Sequence, residues 1–301
     1  MSWLTKDHNY VILRQHKEIT LKGTIQEKTK IAYLGPEETF SHQVVDELFG
    51  DSAIYLPQDN FPSVIKLICD GKADRGVIPF FNPYEEHIRE CQEELFKTDL
   101  IATNVHKIDI DLYLATNRLR LDEVKSIRSN EHVFKQCDVW LSQHLPEIRF
   151  DGRGSTAGAA EDIKKIPYAA AICSFKAAIK NDLDILAKSI QNTKNFTLFF
   201  VIQKADTIEE WEDYSFLCFK IKDAKEQKAI LDILQKHRFR SSQKWDFPHP
   251  TGEYILFFLE FFGAYLDANV VSFIAEVKKY FPDCKLIGTF KESITRRMVE
   301  I

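Results

Sequence analysis

The sequence has no Cys-x-x-Cys pair, no extended run of Lys or Arg, and no apolar stretch long enough to cross a bilayer. Its six cysteines stand far apart, at 69, 91, 137, 173, 218 and 284, which removes zinc-ribbon and thioredoxin-like chemistry from consideration. Most lie within apolar segments, so they read as buried free thiols of a protein in a reducing, cytoplasmic compartment. The formal net charge of -5, with no basic footprint, gives nucleic-acid binding no support. No apolar core follows the N-terminal charges, so the chain does not open like a secretory signal. The longest apolar stretch, Tyr254 to Leu266, is broken by Glu260 and argues against a membrane span.

What is present is an ordinary globular balance, 45% hydrophobic and 28% charged, in 301 residues, a length suited to two domains. There are 23 Phe against 2 Met, so the core is expected to be aromatic, built from side chains that bury large area without needing a polar partner.

Residues 1–28 are polar and read as an N-terminal extension. From Lys30 an apolar strand runs through Leu34 into Gly35-Pro36, and Thr39 or Ser41 can cap a helix through Phe49. Strands are expected at 53–56, 75–81, 169–173 and 196–202, with two more within 100–114. Helices are expected at 61–70, 131–141, 156–165 and 175–180, and 149–155 reads as a turn-rich approach. Strands alternating with helices make residues 29–205 an α/β region. An acidic linker is placed at 206–213. Beyond it, strand 214–221, helix 226–237, strands 242–247 and 254–262, helix 269–280 and strand 284–290 give a β-α-β-β-α-β order, the ferredoxin-like arrangement, over 214–292. Residues 293–301 are a tail.

Five segments, in order, resemble motifs of prephenate dehydratases. Gly35-Pro36-Glu37-Glu38-Thr39-Phe40-Ser41 is similar to G-P-E-G-T-F-S. Gly76 to Asn82 is similar to G-V-x-P-I-E-N, and Ser129 to Cys137 to S-H-P-Q-A-L-x-Q-C. Ser155-Thr156-Ala157-Gly158-Ala159-Ala160 matches S-T-A-x-A-A, and Asn195 to Phe199 matches N-x-T-R-F except at Leu198. The order of the five is far more specific than any one of them. The resemblance implies two α/β lobes closing over a cleft, as in type II periplasmic binding proteins, and an ACT-like C-terminal domain through which dimers or tetramers form. The implied reaction converts prephenate to phenylpyruvate with loss of carbon dioxide and water, on a small dicarboxylate substrate, with no metal or organic cofactor.

The same resemblance points to Thr197 as proton donor. Thr39, Ser41, Asn82, Ser155, Thr156, Ala157, Asn195 and Phe199 are the implied substrate-binding set. The Ser, Thr and Asn candidates have plainer alternatives. Ser and Thr are common helix N-caps, a Thr in an apolar strand is a good β-former, and an Asn before Pro83 suits a turn. Helix N-termini do offer free N–H groups to an anion, so capping and ligand contact can coexist. Leu198 stands where the motif has Arg, Phe81 where it has Glu, Pro83 where it has Ser, and Glu38 and Glu86 where it has Gly. Without the Arg, a bidentate carboxylate contact is expected to be lost, and Arg153 and Lys194 are nearby replacements. Two other functions compete: a non-aromatising prephenate decarboxylase, and a weakly catalytic protein that senses a ligand or partners an enzyme. Phenylalanine-binding ACT domains carry G-A-L and E-S-R-P segments. Here the corresponding segments run from Glu226 to Leu231 and from Gln243 to Pro248, so little phenylalanine feedback is expected.

Overall fold

The computed structural model describes residues 28–84, 88–208 and 212–294. The expected N-terminal extension, apart from Lys28, and most of the tail lie outside the described residues, as does Glu86.

The first lobe begins with three parallel strands, β1 (Thr29–Leu34), β2 (Ala53–Gln58) and β3 (Arg75–Phe81). They are linked by helices α1 (Phe40–Phe49) and α2 (Phe61–Cys69). Side chains placed by the sequence start these helices. Thr39 accepts from the His42 N–H, and Asn60 from the Ser63 N–H. Helix α3 (Ile88–Phe96) then leads to β4 (Leu100–Asp109).

The chain next crosses into a second lobe. Its five-stranded sheet contains β5 (Tyr113–Thr116), β6 (Ser126–Ser129), β7 (Arg149–Gly152), β8 (Ala169–Cys173) and β9 (Asp184–Ala187), in the order β7-β6-β8-β5-β9. Helices α4 (Glu131–Gln136), α5 (Asp138–His144), α6 (Thr156–Asp162) and α7 (Phe175–Lys180) belong to this lobe. The single helix expected over 131–141 breaks at Cys137, whose backbone lies at φ −113°, ψ 7°. The turn-rich segment at 149–155 contributes an edge strand, β7, and β6, β9 and α3 were also not anticipated. The three strands are four residues each, too short for alternation to stand out. The apolar stripe of α3 is diluted by Arg89, Glu90, Glu93 and Glu94.

Strand β10 (Phe196–Lys204) returns to the first lobe and inserts antiparallel between β4 and β3. Covered on both faces, it is apolar almost throughout, as buried strands are. Leu198, Phe200 and Ile202 enter one core cluster, and Phe199 and Val201 another.

The C-terminal unit comprises β11 (Tyr214–Ile221), α8 (Ala224–Lys236), β12 (Ser241–Pro248), β13 (Ile255–Phe262), α9 (Ala268–Lys278) and β14 (Lys285–Phe290). Its strand order, β12-β13-β11-β14, is that of a ferredoxin-like sheet, and both helices pack on one face. The other face, with Phe216, Phe258 and Trp245, packs against Phe80 and Phe200 of the first lobe. Strand β14 pairs with β4 at Gly288↔Ala102, which joins the two parts into one nine-stranded sheet. A Cβ at position 288 would lie 2.6 Å from the Phe290 ring and 3.0 Å from the Ala102 carbonyl oxygen, so the close approach favours glycine. Glu260, fully buried in β13, accepts from the Ser242 and Ser293 hydroxyls and from the Ile294 N–H, fixing the start of the tail.

No helix among the described residues is long and apolar enough to cross a membrane. All six cysteines are unpaired, and Cys69 alone is exposed. Burial pushes the Cys137, Cys173 and Cys284 thiols up to about 12, and those of Cys91 and Cys218 well above their ordinary value. A thiol reagent should therefore titrate one cysteine rapidly in the folded protein and all six in denaturant. Rapid reaction of two or more in the native state would contradict this packing.

Candidate active site

Two chain crossings connect the lobes, one between β4 and β5 and one between β9 and β10. They run side by side, bonded by the Ile110 N–H to the Asn195 carbonyl (2.8 Å) and the Ile190 N–H to the Leu112 carbonyl (3.0 Å). The C-terminal ends of the parallel strands in each lobe lead into the loops that cap α1, α6 and α7, the place where α/β sheets gather ligands. A cleft of about 910 Å³ lies there. Gly35 to Glu38 and Pro57 to Asp59 of the first lobe line it, opposite Arg153 to Ser155, Ala157, Gly158, Glu161, Lys180 and Asn181 of the second.

At the N-terminal end of β10 the buried polar groups form a chain. The Asn82 side-chain N–H group donates to Thr197 Oγ1 (2.9 Å), Asn195 Oδ1 (3.0 Å) and the Phe196 carbonyl (3.0 Å). Its Oδ1 accepts from the Tyr84 N–H at 2.8 Å, which fixes which end of the amide faces Thr197. Asn195 in turn donates to Gln136 Oε1 at 2.9 Å. Because Thr197 Oγ1 already accepts a proton from Asn82, its own hydroxyl proton is left to donate elsewhere. The Asn82 N–H group would also stabilise charge building on that oxygen as the proton leaves. Thr197 is 5% exposed and connects, through Asn82 and Asn195, to an opening of about 220 Å³ lined by Asn195, Gln136, Thr193 and Tyr84.

The structure thus brings Asn82, Asn195 and Thr197 into one hydrogen-bonded group. Ser155 and Ala157 line the large cleft, and Ser155 Oγ caps α6 by accepting from the Gly158 N–H at 3.0 Å. Thr39 caps α1 while its hydroxyl donates within its own loop, to the Leu34 and Pro36 carbonyls. Ser41 and Thr156 are buried in the first turns of their helices. Phe199 lies in the core cluster with Tyr33 and Val201, on the same strand face as Thr197, and lines neither opening. Gln136 and Tyr84 join the group although neither stood among the candidates. Gln136 was visible only as a motif residue, and its buried Nε2 has no hydrogen-bond partner among the described residues. Nothing in the sequence marked Tyr84, whose hydroxyl meets that of Thr193.

The cleft carries four acids, Glu37, Glu38, Asp59 and Glu161, against two cations, Arg153 and Lys180. Arg153 is held by Asp162 of its own lobe at 3.0 Å. Lys180 reaches across the cleft to Glu37 (2.9 Å) and Glu38 (3.0 Å). The hydrogen bond from Lys180 holds the Glu37 carboxyl below its ordinary value, and the bonds to Glu37 and Glu38 hold the Lys180 ammonium above its own. The Glu37 contribution is lost only as pH falls through the lowered value, and that of Lys180 only as pH rises through the raised one, so the Glu37–Lys180 pair persists across the neutral range. Among the described residues no group of three or more His, Cys, Asp or Glu side chains is placed to hold a metal ion.

Residues 31–207 match the family model described as prephenate dehydratase. A bifunctional chorismate mutase/prephenate dehydratase of Aquifex aeolicus is 30% identical over 90% of this chain and 76% of its own length. The chain belongs to the prephenate dehydratase family. Among solved structures, a prephenate dehydratase from Arthrobacter aurescens in complex with L-Phe superposes with a TM-score of 0.75 at 21% identity, covering 88% of this chain and 90% of that one. GqqA, described as a novel type of quorum quenching acylase, superposes with a TM-score of 0.73 at 17% identity, covering 89% of this chain and all of GqqA. These two likenesses speak to the fold.

Two departures from the family motifs meet across the sheet. Leu198 of β10 stands directly opposite Phe81 of β3 in the sheet register. A family Arg and Glu at these positions would face each other as a cross-strand ion pair, and this chain places an apolar pair there instead. Leu198 is fully buried in the core cluster of Phe80 and Phe200, on the strand face away from Thr197. Any side chain at this position starts from the core face. Exchanging a buried ion pair for apolar packing is often neutral or stabilising. Glu38, at a family glycine, keeps the left-handed backbone that glycine favours, at φ 67°. Leu198→Arg alone should cost roughly 3–5 kcal/mol of stability as an unpaired buried charge, and adding Phe81→Glu should restore at least half of it. Urea denaturation midpoints of the two variants decide this; a stable single variant, or no rescue, would refute the pairing.

Proposed function

We propose that the chain converts prephenate to phenylpyruvate and so serves phenylalanine biosynthesis. The observation that carries this is the Thr197 hydroxyl, held by Asn82 with its proton free to donate. In the proposed step the bond to the ring carboxylate breaks and carbon dioxide leaves. The electron pair moves through the ring, which becomes aromatic as the carbon–oxygen bond to the ring hydroxyl breaks. Thr197 donates the proton that lets this hydroxyl depart as water, and solvent reprotonates Thr197. Gln136 Nε2 and the Asn195 amide support the reading as neutral polar groups beside the path of the substrate. Ser155 supplies a polar contact on the second-lobe wall of the cleft, while Thr39 and Ser41 shape the start of α1 behind the first-lobe wall.

General acid catalysis contributes about 10²–10⁴-fold. Thr197→Ala should therefore lower phenylpyruvate formation from prephenate by about 100-fold or more, and Thr197→Ser should retain part of the activity. A non-aromatic keto acid as the main product would replace this reading with the decarboxylase. Binding of prephenate without turnover would replace it with the ligand-sensing protein.

Residues 29–205 form the proposed catalytic unit, 206–213 the connection and 214–292 an ACT-like unit, in a cytoplasmic protein whose unpaired cysteines suit a reducing setting. The C-terminal unit exposes Phe262, Leu266, Val271 and Tyr280, which support its use in forming a homodimer or tetramer. Its first helix holds no glycine where phenylalanine-binding relatives have one, and Gln227 of α8 bonds to Asp246 of β12 at 3.1 Å, tying together the two segments that would frame a ligand. Calorimetry with L-phenylalanine should show no binding below millimolar concentration; a submillimolar constant would overturn this.

A further inference from the structure

The one cation of the cleft with no partner in its own lobe, among the described residues, is Lys180. Arg153, the other cation, is engaged by Asp162 beside it. Lys180 ends α7, and both its carboxylate partners, Glu37 and Glu38, belong to the loop between β1 and α1 on the opposite wall. A parallel contact one helical turn earlier links Lys176 to Asp46 of α1 at 3.5 Å. These pairs therefore exist only while the lobes are together, and separating the lobes about the paired crossings strips Lys180 of both partners at once. Glu38 takes part from a left-handed backbone position, and its N–H is held by His42 Nδ1 at 3.0 Å. The loop is thus fixed with its acids toward α7. Lys180 and Glu37 are about half exposed and Glu38 less so, and ion pairs with such exposure are weak and readily exchanged.

We propose that Lys180 anchors a carboxylate of the substrate, and that Glu37 and Glu38 compete for it as an internal stand-in, forming a clasp that the substrate must displace. The inference rests on the proposed action on a dicarboxylate and places one of its carboxylates in the large cleft between the lobes. It gives the acidic loop a definite role. A dianion entering between four acids would be repelled, but with the lobes apart it meets one freed ammonium on the far wall. As it binds, the two glutamates are released to water. Substrate therefore trades places with a carboxylate of the protein, and the lobes close over a ligand pair in place of an internal one.

The test is prephenate titration by calorimetry on the full chain carrying Thr197→Ala, so that turnover does not consume the ligand. Adding Lys180→Met should weaken binding about tenfold or more, as expected for loss of a charge-assisted hydrogen bond, and Lys180→Arg should restore most of it. Adding Glu37→Gln with Glu38→Gln should tighten binding about two- to tenfold. That gain should vanish when Lys180→Met is also present, because the glutamates then have nothing to compete for. A clasp that only holds the lobes together would shift affinity in the same direction from either end, and that result would overturn the proposal. So would a glutamate effect that survives without Lys180, which would mark general repulsion. If the unmodified chain makes no phenylpyruvate while these titrations follow the stated pattern, the catalytic reading fails and the Lys180 assignment stands. If turnover is present and Lys180→Met binds normally, the reverse holds. No binding of prephenate in any variant would overturn the assignment.

Discussion

The period of two along a β-strand governs most of what this molecule can do. Strand β10 is pinned antiparallel between β4 and β3, and its alternate residues serve different masters. Leu198, Phe200 and Ile202 weld the first lobe to the C-terminal unit, while Thr197, Phe199 and Val201 share the opposite face, toward the core of the first lobe. A slip of one residue would exchange the two sets and place the hydroxyl in the aromatic core. The bulk of Phe199, Phe200 and Val201 therefore positions Thr197 as surely as any hydrogen bond does. Asn82 adds the fine adjustment, with one side-chain amide reaching the hydroxyl, a second amide and a main-chain carbonyl.

Local chemistry made the larger elements legible in the sequence. The run from Phe196 to Ile202 could only be a buried strand, Tyr214–Ile221 was bounded to the residue, and Thr39 and Ser155 cap the helices they precede. The elements that escaped were those whose identity depends on partners. Strands β6, β7 and β9 are strands because a small sheet assembles them, and four residues cannot announce that alone. Of the site, the motif spacing carried Asn82, Asn195 and Thr197. It did not carry the fact that one amide joins all three, because 113 residues separate Asn82 from Asn195 in the chain.

The structure adds most to the sequence at Leu198. A missing Arg beside a retained Thr suggests a lost anchor when the two are adjacent on paper. In a strand, adjacency means opposite faces. The cross-sheet neighbour of Leu198 is Phe81, so the two departures sit side by side in the interior. Substitutions in a strand motif are better judged against the residue across the sheet than against the next residue in the chain.

The junction at Gly288 has a mechanical consequence. Because β14 pairs with β4, and β4 with β10, the C-terminal strands and the strand bearing Thr197 belong to a single continuous sheet. Torque applied to the C-terminal unit, by a partner or by self-association, would pass through hydrogen-bonded backbone instead of being dissipated in a tether. Of the three parts, the second lobe stands outside that sheet, joined to it by two crossings.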